Sequence, residues 1–93
     1  MEIKATVKQF HSWLRADLHR QGLIHPWELV CVWTNERTAR LVDARLHVWA
    51  TATDVGSTTL KVETDDAALI ERIRDEWGLG RAHRRGVAAR STG

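Results

Sequence analysis

The chain has 93 residues, 43% of them hydrophobic and 28% charged, which fits one globular domain and leaves no apolar run longer than the five residues 29–33. That run is far too short to cross a bilayer, and Cys31, the single cysteine, excludes an internal disulfide and fits a reducing compartment. Met1-Glu2-Ile3-Lys4 lacks the basic-then-apolar order of a secretory signal, so a cytoplasmic protein with no membrane partner is expected.

The formal charge of +2 hides a division. Positions 1–77 carry ten Lys and Arg against twelve Asp and Glu, whereas 81–93 carry Arg81, Arg84, Arg85 and Arg90 with no acid. The body is therefore net negative, and the end is a cationic segment whose natural partners are polyanions.

In chain order, Glu2-Ile3-Lys4-Ala5 alternates as a short strand would. Thr6 reads as a helix N-cap, with Gln9 three residues later completing a capping box. Val7, Phe10, Leu14 and Leu18 then follow helical spacing, and the helix is expected to stop near Gln21, before Gly22 and Pro26. Positions 27–34 are rich in β-branched and aromatic residues and read as a strand, followed by a turn at Asn35-Glu36-Arg37.

Positions 41–53 alternate throughout and predict one long strand. Val42, Ala44, Leu46, Val48, Ala50 and Ala52 fall on its inner face, and Leu41, Asp43, Arg45, His47, Trp49 and Thr51 on its outer face. Asp54-Val55-Gly56-Ser57 supplies turn chemistry, and 58–63 forms the next strand with Leu60 and Val62 inward. Asp65 or Asp66 caps a second helix with Leu69, Ile70, Ile73 and Trp77 as its stripe, ending at Gly78 or Gly80. Residues 81–93 show no periodicity and read as a flexible basic tail on a single domain spanning 1–80.

The expected fold is an α+β two-layer sandwich: helix, three-stranded antiparallel meander, helix, with a short leading strand and a basic C-terminal tail. Its interior is expected to hold Leu14, Leu46, Val48, Leu60, Ile70 and Ile73. The element order resembles that of double-stranded-RNA-binding domains and of certain small ribonuclease toxins with a strand histidine. Asp65 and Asp66, however, occupy the helix start where those RNA-binding domains carry lysines.

No cofactor or metal is expected. His11 and His19 are eight residues apart on one helix and cannot share an ion, and the chain lacks a second cysteine. Phosphate-loop, dinucleotide and nucleophile-elbow motifs are absent, which disfavours an enzyme. Cys31 lies in an apolar strand, where desolvation makes a thiol inert.

On the outer sheet face Arg45, His47 and Trp49 would stand in a row about 7 Å apart, with Lys61 beside them. Basic and aromatic groups on an open sheet suit a macromolecular partner. The sequence thus points to a small non-enzymatic binding protein acting through this face and the basic tail, in protein–protein contact or as a homo-oligomer. The alternative is nucleic-acid binding through Arg81, Arg84, Arg85 and Arg90 with the Arg45–His47–Trp49 face. RNA cleavage by His47 stands third.

Overall fold

A computed structural model describes residues 1–79, so the basic tail with Arg81, Arg84, Arg85 and Arg90 lies outside the described residues. The chain runs β1 (Glu2–Ile3), α1 (Val7–Arg20), a 3₁₀ turn (Pro26–Glu28), β2 (Val30–Trp33), β3 (Thr38–Val42), β4 (Val48–Gly56), β5 (Thr59–Glu63) and α2 (Ala67–Glu76). The strands form one antiparallel sheet in the order β1-β5-β4-β3-β2, which with two helices makes a mixed α+β fold.

Local chemistry sets the helix ends. The Thr6 hydroxyl accepts the Gln9 N–H at 3.1 Å while Gln9 Oε1 accepts the Thr6 N–H at 2.8 Å, so two otherwise orphaned donors are satisfied. Gly22, at φ +74°, takes the left-handed turn that ends α1. At α2 the cap is Asp66, whose carboxylate accepts the Leu69 N–H at 3.1 Å.

Phe10, Leu14 and Leu18 of α1 and Leu69 and Ile73 of α2 are fully buried and pack with Ile3, Leu41, Ala50, Ala52, Leu60 and Val62 of the strands. The register aligns these strand residues across the sheet, with Leu41 opposite Ala50, Ala52 opposite Val62 and Ile3 opposite Leu60. Each large side chain so buried contributes about 1.5–3 kcal/mol. One charged group lies among them. Asp17 on α1 is 1% exposed and accepts Arg72 Nε from α2 at 2.9 and 3.1 Å, while Arg20 Nη2 reaches the same carboxylate at 3.2 Å.

The expected three-stranded meander is instead part of a five-stranded sheet. The single strand predicted over 41–53 is two strands, β3 and β4, joined by a hairpin loop at 43–47. Leu46 and Val48, assigned to the core, are both exposed, and Ile70 is half-buried. Ala50 and Ala52 of β4 are buried as expected, but they are joined by Ala39 and Leu41 of β3. Leu41 was expected on the outer face and turns inward because the hairpin loop breaks the alternation between the two strands. The strand expected over 27–34 shortens to β2, because Pro26 opens the 3₁₀ turn that occupies its first residues.

Candidate interaction surface

The β3–β4 loop is organised by one carboxylate. Asp43 is 3% exposed, and its Oδ1 accepts the backbone N–H of Arg45 at 2.8 Å and of His47 at 3.0 Å. Its Oδ2 accepts the Trp49 indole Nε1–H at 2.9 Å. Burial alone would push this carboxyl's pKa upward. The hydrogen bonds from His47, Trp49 and Arg45, with the Arg45 charge, outweigh it and hold the group below the ordinary carboxylate value.

Two main-chain bonds complete the loop. The Asp43 N–H donates to His47 O at 3.1 Å, and the Leu46 N–H donates to Asp43 O at 3.0 Å. This is a three-residue hairpin loop whose last position is left-handed, a place normally given to glycine. Here it is Leu46, at φ +66° and 81% exposed. A left-handed residue with a Cβ costs about 1–2 kcal/mol, and Leu46 recovers none of that by burial.

Arg45 and His47 therefore sit in a turn rather than in a row along a strand, and Trp49 is the extra residue where the β3–β4 register shifts. The three are still brought together. The His47 ring stands edge-on to Trp49 with centroids 4.5 Å apart, and Trp49 packs partly against the core. Lys61 is not brought to them. It lies opposite Thr53, four residues along β4 from Trp49 and so roughly 13 Å away, beside Glu63 at 3.9 Å. The Asp43 oxygens serve the backbone N–H groups of Arg45 and His47 and the Trp49 indole rather than the His47 ring.

The segment between α1 and β2 lies against this loop. A shallow cleft between them is lined by His19, Leu23, Ile24, His25, Glu28 and Arg45. His19 Nδ1–H donates to Ile24 O at 3.2 Å, and Glu28 Oε1 accepts the His25 N–H at 2.7 Å, which fixes the cleft wall. The His25 ring stacks on Trp27 at 4.7 Å and 2° between planes, and Trp27 itself is 76% exposed. Asp43, Leu46, His25 and Trp27 did not stand out as site residues in the sequence. The available signals were an aspartate opening a type I turn and a tryptophan directly after proline.

Among the described residues, no group of histidine, cysteine, aspartate and glutamate side chains converges to hold a metal ion, and no helix is long and apolar enough to cross a membrane. Cys31 is half-buried, and burial pushes its thiol pKa up, which lowers its reactivity at neutral pH.

No protein-family model, curated protein or solved structure matches this chain. The functional reading therefore rests on the surface just described.

Proposed function

We propose that the protein is a non-enzymatic binding module whose two helices cover one sheet face as a two-layer sandwich, and whose Arg45–Leu46–His47 turn, with Trp27, engages a protein partner. The shared parity of the core residues on β3, β4 and β5 supports the layered arrangement. One observation carries the functional part: Leu46 is strained and exposed at once, on a loop that Asp43 holds in a single shape. Strain that the fold does not need is a mark of a working surface. Trp27 adds a large exposed ring stacked on His25, which lines the cleft together with Arg45, and aromatic and arginine residues are the groups that dominate protein interfaces.

The test is site-specific photocrosslinking in cells, with the reactive group in place of Leu46, in place of Trp27, or at exposed Arg74 on α2 as the control. A protein adduct formed from the first two positions, absent from the third and lost when Arg45 is changed to Glu, is the expected result. Equal labelling at all three positions refutes the reading, and adducts that vanish on nuclease treatment replace it with the next one.

A second reading, nucleic-acid binding, is favoured by the charge division of the chain. Arg81, Arg84, Arg85 and Arg90 have no acid among them, while the rest is net negative. Such a segment adds sequence-independent attraction to phosphate.

A further inference from the structure

The outer edge of β2 is unpaired among the described residues, and its chemistry is unusual for an exposed edge. Positions 29–35 (Leu-Val-Cys-Val-Trp-Thr-Asn) carry no charge, and Val30, Val32 and Trp33 are all exposed. Sheet edges are normally guarded by lysine, proline or an inward charge, because bare N–H and C=O groups invite another strand. None of those guards is present on β2.

We propose that β2 is the seam of a two-fold homodimer, in which the edge strands of two copies pair antiparallel with Val32 facing its own counterpart. The hydrogen-bond phase of the sheet sets this register. The Thr34 N–H donates to Thr38 O at 2.9 Å, so alternate residues Val32 and Val30 also bond toward β3. The N–H and C=O groups of Cys31 and Trp33 therefore point outward. Placing Cys31 of one copy opposite Trp33 of the other satisfies all of these groups in both copies, with four hydrogen bonds. Registers that bring Leu29 onto the seam meet His11 instead, whose Nε2–H already donates to the Leu29 carbonyl at 2.7 Å and closes that end of the edge.

The same features favour a second copy over a flexible peptide. So short an edge gives few main-chain bonds, and a peptide would lose its chain entropy to form them. A second copy presents its strand already ordered. It also buries apolar groups on both faces, Val32 against Val32 on one and Trp33 beside Cys31 on the other. An uncharged edge meeting its own image brings no like charges together along the strand. The seam shares no residue with the Arg45–Leu46–His47 turn or Trp27, so it stands independently of the reading given above.

The experiment is light scattering across a dilution series, combined with disulfide trapping in a Cys31→Ser background. The expected mass is twice that of one chain at high concentration, falling to one chain for Val32→Lys, whose circular dichroism should match the parent because Val32 is exposed. Facing residues at a non-hydrogen-bonded position have Cα atoms about 4.5 Å apart, within disulfide reach. Val32→Cys should therefore crosslink under mild oxidation, and Val30→Cys alone should not, because Val30 faces Thr34 of the other copy. A single-chain mass at every concentration overturns the proposal, as does a dimer that survives Val32→Lys. Crosslinking from Val30→Cys in preference to Val32→Cys overturns the register.

Discussion

The Asp43 carboxylate accepts the indole N–H of Trp49 at 2.9 Å, which ties the start of a hairpin loop to the strand that leaves it. With the Arg45 and His47 amides on its other oxygen, Asp43 fixes the position from which Leu46 projects.

Asp43→Asn should loosen this loop, since an amide nitrogen replaces one of two oxygens that each receive N–H donors. The expected cost is about 1–3 kcal/mol, the range for leaving a buried polar group unsatisfied. Its pH dependence has a definite sign. The folded pKa is depressed, so the stabilisation is complete above the unfolded value of about 3.9 and is lost as pH falls through the folded value. Chemical denaturation from neutral to acid pH should show the gap between parent and variant closing below about pH 4. A gap that stays constant would mean the charge of Asp43 is not what holds the loop.

Leu46→Gly should do the opposite to stability. Relief of the left-handed strain outweighs the added freedom of the unfolded chain, for a net gain of about 0.5–1 kcal/mol. Thermal unfolding should therefore shift upward while crosslinking to a partner from the Trp27 position declines. A variant that gains stability and keeps full partner binding would show that the exposed leucine has no binding role.

The ion pair between the helices predicts asymmetric effects. Arg72→Ala leaves the buried Asp17 carboxylate with Arg20 as its cationic partner, and should cost close to the lower end of roughly 3–5 kcal/mol, since Arg72 is itself partly exposed. The double replacement Asp17→Leu with Arg72→Met should recover most of that loss, because a well-packed apolar pair avoids desolvating charge. Urea unfolding of parent, single and double variants reads the difference. A double variant no better than the single would mean that the pair supplies net stability.

If the four tail arginines meet phosphates on duplex DNA, the log–log salt slope should approach about −3.6, from roughly −0.9 per phosphate. Titrating the full chain and a chain ending at Leu79 against labelled oligonucleotides measures it. Equal affinity of the two chains, or none in either, removes the nucleic-acid reading.

The helices were legible because their signals are local. Thr6 and Gln9 form the capping box that their spacing announces, Gly22 turns where a left-handed residue is needed, and Leu69 and Ile73 face inward as their period requires. The strand β5 was equally plain, with Leu60 and Val62 buried and Lys61 and Glu63 exposed. The β3–β4 hairpin was hidden because Ala44 and Leu46 continue the alternation of Val42 and Val48 straight through the turn. A glycine or asparagine at position 46 would have announced it. A strand of some 40 Å, as 41–53 would have been, exceeds the usual 3–10 residues and was the remaining clue. The candidate site was half-read for the same reason. Arg45, His47 and Trp49 do cluster, but through a carboxylate and a turn rather than along a pleat.

The two-residue strand β1 has a consequence for the order in which the molecule assembles. Met1 and Val62 exchange main-chain hydrogen bonds across 61 positions of sequence, at 2.7 and 3.0 Å. The β2–β3, β3–β4 and β4–β5 pairings, by contrast, close through short connections. Closing the long loop returns few bonds for its entropy, so β1 should dock after the meander has formed and be the first strand to leave it. Ile3→Ala should then accelerate unfolding while leaving the refolding rate almost unchanged, visible as movement of one arm of the chevron. A matching slowdown in refolding would place β1 in the folding nucleus instead.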